Sequence, residues 1–252
     1  MGGLGNQIFQ IFATISFSLK YKTPCKFLNI SQLGGGSTTL RYTYWNSFFQ
    51  NIYFFLIDKL PEPMTIIREN GFVYEQLPIR RCLNQDVMIY GYFQSYKYFQ
   101  DYYPVICRLI GLDKMKSNLR HKLNVDEDYF QDKISMHFRY SDYKKNQLFH
   151  PLLNHIYFHN ALLNMKTLFP TTSFVVMYFH EEEDIEDVMK IISLLKEEFP
   201  TFIFERGEKT LMDWEQMLLM SCCHYNIIAN SSFSYFGAYF NSHPDKIVMY
   251  PY

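Results

Sequence analysis

No two cysteines in this sequence are spaced as CxxC, and the total of five (Cys25, Cys82, Cys107, Cys222, Cys223) is odd. That pattern suggests neither a zinc site nor a disulfide framework, so a reducing compartment, the cytoplasm, is the expected setting. A basic excess is missing too: 24 Lys and Arg stand against 25 Asp and Glu, for a net charge of −1. Nucleic-acid binders normally carry a basic patch or stripe, and the nearest approach to one, Arg80-Arg81, reads as ordinary surface. No apolar run is long enough to cross a bilayer, and no charged-then-apolar leader opens the chain. The chain as written is expected to be soluble, with the loss of an anchor ahead of it left open. Internal repeats and low-complexity tracts are also missing.

Aromatic residues are abundant: 19% of the chain, with 21 Tyr and 24 Phe. Such residues fill thick cores and also line sugar-binding clefts, and composition does not separate the two uses. The hydrophobic share of 48% supports a real core. A length of 252 residues fits one large or two small α/β domains.

The chain opens with Gly-Gly-Leu-Gly-Asn, a glycine turn of the kind that normally follows a buried strand. From Gln7 to Lys20 the apolar spacing predicts an amphipathic helix opened by Asn6. "CKFLNI" reads as a strand and "GGGSTT" (34–39) as a loop, while residues 40–80 carry too little periodicity to place elements. "DVMIY" (86–90) is a further strand, followed by a turn and a helix. The charged stretch from Lys114 to Asp128 marks the expected boundary between an N-terminal domain, 1–125, and a C-terminal domain, 126–252. Beyond it, the strands "KISMHF", "SFVVMYF", "TFIFE", "YNIIA" and "KIVMY" alternate with helices at 151–168, 184–198, 211–222 and 233–241. This alternation is the signature of a doubly wound parallel sheet. Ligands bind such sheets at the carboxyl ends of the strands.

"KISMHF" runs into "RYSDY", where strand alternation puts His137 and Arg139 on one face. The arginine is either a charged fork for phosphate or half of a surface ion pair with Asp142. Its place at a strand end favours the first. After "YNIIA", Asn230, Ser231 and Ser232 begin a helix, where free N–H groups and hydroxyls can hold an anion or simply cap the helix. Two phosphate-friendly features on one sheet edge suggest a nucleotide-diphosphate site.

The carboxylates of "HEEEDIED" (180–187) suit the first turn of a helix, although one of them could reach a ribose or base. "DED" (126–128) precedes its strand and is a poor metal site. Among His150, His155 and His159, capping and packing are favoured over zinc.

In order along the chain, "GGLGNQIFQ", "GYFQSYKYF", "HFRYSDY…HP" and "LMSCCHYNIIANSSFSYFGAYFN…KIVMYP" resemble the motifs of family 11 glycosyltransferases, the α-1,2-fucosyltransferases. The resemblance implies an α/β, GT-B-like fold: two Rossmann-type halves facing a cleft, with the parallel sheet clearest in the C-terminal half. It implies inverting transfer of L-fucose from GDP-fucose to the 2-hydroxyl of a galactose in a glycan acceptor, with no metal and no other cofactor. Without a metal, protein cations and helix N-termini must stabilise the leaving nucleotide.

Carried over onto this sequence, the resemblance puts Arg139 on the donor phosphates and His137 near the nucleotide. Asn230, Ser231, Ser232 and Phe233 cradle diphosphate or base. Gly5 and Asn6 serve the donor from the N-terminal, acceptor-side domain. Asp142 is either a catalytic carboxylate or the group that orients the arginine.

Two departures stand out. Tyr140 and Ser141 replace the second Arg and the Gly of the family's H-x-R-R-x-D pattern. Loss of a cation beside a diphosphate is expected to remove about 1.5–3 kcal/mol, giving a changed donor or a weakened enzyme. The sequence also starts inside the glycine turn, without the strand that precedes it in the family, and is expected to be either a fragment or a compact variant whose N-terminal sheet lacks a central strand. A degenerate GDP-sugar or glycan-binding module, and a transferase for another nucleotide-deoxyhexose such as a rhamnose nucleotide, are the alternatives.

Overall fold

The protein is described by a computed structural model covering residues 2–35, 38–77 and 86–251. Gly36, Ser37, Arg80, Arg81 and Cys82 lie outside the described residues. The chain forms two compact units, Met1–Lys114 and Met115–Tyr252.

The first unit opens with α1 (Leu4–Tyr21), whose buried face includes Ile8, Phe9, Ile11, Phe12 and Ile15. The helix begins earlier than its apolar spacing suggested. Gly3, in extended conformation, is the N-cap, so Gly5 and Asn6 lie in the first turn and Asn6 does not open the helix. The positive φ is at Gly2 (+77°), where an added Cβ would sit 2.4 Å from Asn6 Nδ2.

Next come β1 (Phe27–Leu28), β2 (Gln32–Gly35), β3 (Thr38–Tyr42), β4 (Leu56–Ile57), β5 (Thr65–Arg68), β6 (Val87–Tyr90) and α2 (Tyr103–Ile110). Among the described residues these strands form three two-stranded sheets, β1–β4 and β5–β6 parallel and β2–β3 antiparallel. "GGGSTT" is therefore not simply a loop, because Gly35 and Thr38 pair within the β2–β3 ladder. Buried Phe48, Phe49, Phe93 and Phe99 form the core with the face of α1, and the Phe99 ring meets Phe12 edge-on at 5.4 Å.

The charged stretch after Lys114 is helical: α3 (Leu112–Leu123) spans the point where the chain divides. The division falls at 114/115 and not at the 125/126 expected from the run of charge. Met115, Lys116 and Leu119 are buried, and the Lys116 ammonium donates to the carbonyl of Phe240 at 2.5 Å. Charge in this segment therefore marks a helix docked on the second unit rather than a linker.

The second unit matches the sequence pattern closely. Its elements are β7 (Lys133–His137), α4 (His155–Leu168), β8 (Val175–Phe179), α5 (Ile185–Glu198), β9 (Ile203–Arg206), α6 (Asp213–Cys222), β10 (Tyr225–Ile227), α7 (Ser232–Tyr239) and β11 (Val248–Met249). All five strands are parallel, in the spatial order β11-β10-β7-β8-β9. Counted from β7, that is the 3-2-1-4-5 order of a Rossmann half, with the direction of winding reversing between β7 and β10. Phe158, Leu162, Met165, Val188, Ile192 and Leu195 from α4 and α5 pack on Ile134, Met136 and Val176 of the sheet. Across the switch, the buried Asn226 amide donates to Ser135 Oγ at 2.7 Å and to the Met220 carbonyl at 2.9 Å. Asn241 in turn donates to Asn226 Oδ1 at 2.8 Å. Buried polar groups need partners, and this network ties β7 to β10 at the reversal. Among the described residues no helix is long and apolar enough to cross a membrane.

Candidate active site

At the carboxyl end of β7 the chain continues extended, with Phe138 N–H donating to the Phe179 carbonyl at 2.9 Å. Alternation then sorts the side chains. Phe138 and Tyr140 enter the core beneath α4, and the Tyr140 hydroxyl donates to the Leu153 carbonyl at 2.8 Å. Burial pushes the Tyr140 phenol well above its usual range, so it stays protonated. Tyr140 therefore does not stand where a second donor-binding cation would stand. The lost charge expected from the motif is, in this fold, a core position.

His137 and Arg139 occupy the other face. His137 is buried, and desolvation, helped by the nearby charge of Arg139, lowers its pKa to about 3. Its ring is neutral at physiological pH and lies 5.4 Å from the ring of Phe233. The Arg139 guanidinium donates to Asp142 Oδ1 at 2.7 Å and pairs through its other nitrogen with Glu181. It also sits over the Tyr143 ring, 5.5 Å from the centroid. The fork is thus held between two half-exposed carboxylates, one before α5 and one after β7.

The loop that carries Arg139 is anchored by Asp184, which is fully buried. This carboxylate accepts from Tyr140 N–H at 3.0 Å, Ser141 N–H at 2.8 Å and Ser141 Oγ at 2.9 Å. Ser141 therefore supplies a hydroxyl to this clamp where the family pattern has glycine.

On the far side of the winding reversal, Ser231 caps α7, its hydroxyl accepting from Phe233 N–H at 3.3 Å. Ser232 is the first helical residue. Tyr143 OH donates to the Asn230 carbonyl at 3.1 Å, linking the loop after β7 to the start of α7. The predicted residues His137, Arg139, Asp142, Asn230, Ser231, Ser232 and Phe233 are thereby brought to adjacent strand ends. In the other unit, Asn6 Oδ1 accepts from Gln94 at 2.7 Å, joining the "GGLGNQ" and "GYFQ" motifs, while Gly5 is buried within α1.

Five buried side-chain polar atoms lack a hydrogen-bond partner among the described residues, and four of them are His137 Nδ1, His180 Nε2, Arg206 NH1 and Asn230 Oδ1. These four residues end or follow β7, β8, β9 and β10 respectively. Unpartnered buried polar atoms are costly. All four lie along one carboxyl edge of the sheet, the edge at which parallel α/β sheets bind ligands. Burial and the Arg206 charge lower the His180 pKa to about 4, so it too presents a neutral imidazole. His180 and Arg206 escaped the sequence reading, and Glu181 entered it only as one of the carboxylates of 180–187. Their signal was position alone, immediately at or after "SFVVMYF" and "TFIFE", and the acidic run beside them read as helix-start chemistry.

Comparison with known proteins follows the same lines. The model of glycosyl transferase family 11 matches residues 43–251. An alpha-1,2-colitosyltransferase of Escherichia coli is 26% identical, over 99% of this chain and 89% of its own length. The O-antigen biosynthesis glycosyltransferase WbnK of Escherichia coli is 25% identical, over 65% of this chain and 53% of its own length. A crystal structure of POFUT1 in complex with GDP superposes with a TM-score of 0.50 at 10% identity, covering 99% of this chain and 96% of that one. At that identity the likeness concerns the fold, which is α/β and GT-B-like.

Proposed function

The chain belongs to glycosyltransferase family 11, and from that premise we propose that it moves L-fucose from GDP-fucose to the 2-hydroxyl of a galactose in a glycan acceptor, inverting the anomeric centre without a metal. The observation that carries this reading is the row of unpartnered polar atoms at the ends of β7 to β10, beside a partly buried arginine and a helix N-terminus. A nucleoside diphosphate supplies acceptors for the arginine and for the first N–H groups of α7, and polar edges for the imidazoles.

In this mechanism the acceptor oxygen attacks the anomeric carbon as the bond to the diphosphate breaks. Charge grows on the leaving oxygen, where Arg139 and the N-terminus of α7 stabilise it. Glu181, half exposed and paired with Arg139, gives way to the diphosphate. Phe233 against the neutral ring of His137 forms a flat wall for the donor. The acceptor's proton goes to a carboxylate. Asp142 takes that role or holds Arg139, and its 2.7 Å bond to the guanidinium favours holding.

A second reading has a specific observation behind it. The relative aligned over 99% of this chain carries colitose in its name, and colitose is L-fucose without its 3-hydroxyl. A GDP-linked deoxyhexose other than fucose is the alternative donor.

The experiment is nucleotide release from a panel of GDP- and UDP-sugars, GDP-fucose, GDP-colitose and GDP-rhamnose among them, with lactose and with metal chelated. Release with GDP-fucose, dependent on lactose, supports the main reading. Faster release with another GDP-deoxyhexose supports the second. GDP binding without release from any donor identifies a binding module and defeats both.

A further inference from the structure

Away from the strand ends, α4 and α5 carry a second cluster. His155 and His159 stand one turn apart on α4, and Glu198 ends α5. His155 Nε2 and His159 Nδ1 each lie 2.8 Å from the same oxygen, Oε2 of Glu198. All three candidate ligand atoms fall within 4.8 Å of one another. Among the described residues no other group of three or more His, Cys, Asp or Glu side chains converges in this way.

Of the capping and packing expected for these histidines, the pair on α4 shows packing, His159 lying 5.4 Å from the buried ring of Phe199, but no capping. The cap of α4 is Asn154, whose side chain accepts from Tyr157 N–H. The buried face of α4 is Phe158, Ala161, Leu162 and Met165. His155 and His159 flank that face, with their rings 5.8 Å apart and one nitrogen of each turned to the carboxylate.

We propose that His155, His159 and Glu198 form a divalent transition-metal site, filled by Zn²⁺, that fastens the start of α4 to the end of α5. Two imidazole nitrogens and one carboxylate oxygen are a zinc donor set, and the i,i+4 spacing fixes both rings on one side of a rigid helix. Zinc bonds of about 2.0–2.2 Å in tetrahedral geometry place neighbouring ligand atoms about 3.3 Å apart. The carboxylate oxygen therefore needs to retreat only about half an ångström from each nitrogen. Side-chain exposures of 25%, 33% and 34% leave the open coordination position to water. Nitrogen donors exclude Mg²⁺ and Ca²⁺ as preferred occupants. The site is structural, and the proposal rests on no part of the transferase reading.

The test uses the full chain, stripped with a chelator and dialysed, titrated with ZnCl₂ by calorimetry at pH 7.5. Co²⁺ serves as a spectroscopic probe, and thermal melting is followed with Zn²⁺ and with Mg²⁺. One Zn²⁺ per chain is expected, together with Co²⁺ visible bands of nitrogen–oxygen coordination and a melting temperature raised by Zn²⁺ but not by Mg²⁺. His159→Gln and Glu198→Gln, both surface changes, should each weaken Zn²⁺ binding at least about tenfold and remove the thermal shift. Absence of one-to-one binding overturns the proposal. So does binding that survives both substitutions, which would place the metal on other residues, the cysteines or the His224–His243 pair among them.

Discussion

Arg139 and Asp142 form an ion pair just beyond the end of β7, with 2.7 Å between guanidinium nitrogen and carboxylate oxygen and only 15% of the arginine side chain exposed. In the proposed reaction the pair stands ready before the donor arrives, and its contribution there is pre-organisation. Arg139→Ala should weaken GDP binding by about 1.5–3 kcal/mol or more, roughly ten- to a hundredfold in Kd by calorimetry. Unchanged affinity would remove Arg139 from the phosphate site. For Asp142→Asn the two possible roles diverge. A positioning residue loses GDP affinity and turnover together, while a general base loses turnover alone.

Glu181 competes for the same guanidinium. Glu181→Gln keeps its size and removes its charge, so a diphosphate no longer has to displace an anion. GDP affinity is expected to rise and to become more dependent on ionic strength. A fall in affinity measured over a salt series would show instead that Glu181 helps to hold the ligand.

Tyr140 gives the sharpest check on which way the loop faces. Its side chain is in the core, so restoring the family's arginine should bury a cation without a phosphate. Tyr140→Arg is expected to lower stability by about 3–5 kcal/mol without improving GDP affinity. Tyr140→Phe should cost only about 1 kcal/mol, from the lost bond to the Leu153 carbonyl. Urea denaturation of the two variants separates these outcomes.

Asp184 holds the same loop from beneath. Asp184→Ala leaves two backbone N–H groups and the Ser141 hydroxyl without their acceptor, a loss of about 2–4 kcal/mol. The variant should unfold at a lower urea concentration, and at low urea it should bind GDP more weakly although Asp184 does not touch the ligand.

His137 predicts the acid limb of stability. Its folded-state pKa, about 3, lies below the unfolded value of 6.5, so the unfolded chain takes up the proton first. The contribution is complete above about pH 6.5 and is lost progressively as pH falls towards 3. Between pH 6.5 and 5 this one histidine should remove about 2 kcal/mol. In His137→Asn the corresponding slope should flatten in urea titrations at the two pH values.

Much of the second unit was legible because its strands and helices have strong, distinct periods. "SFVVMYF" and the helix after it sit where their patterns placed them, with ends shifted by a residue or two. The first unit was not legible for a physical reason. Strands such as Phe27–Leu28 and Leu56–Ile57 are two residues long, too short for alternation to register. Short 3₁₀ segments such as Gln50–Phe55, interrupted by a kink at Ile52, carry no amphipathic period. The aromatic residues there obscured the pattern further, since Phe48 and Phe49, adjacent in sequence, are both fully buried.

In the site, alternation correctly paired His137 with Arg139. The same rule already put Tyr140 on the opposite face, against the inference that it stood in place of a donor cation. His180 and Arg206 were invisible because nothing local distinguishes a ligand-facing strand end from an ordinary one. Only the order of the strands does.

That strand order also bears on how the protein becomes active during folding. The bond from Tyr143 to Asn230 spans 87 residues and the one from Asn226 to Ser135 spans 91. Pairing β7 with β8 closes a much shorter loop than pairing β7 with β10, and long loops close at greater entropic cost. A chain that has docked only β7, β8 and β9 therefore has its arginine but no partner helix to complete the proposed anion site. Nucleotide binding can thus serve as a probe of the last long-range docking event, and GDP should slow unfolding by stabilising the β7–β10 seam.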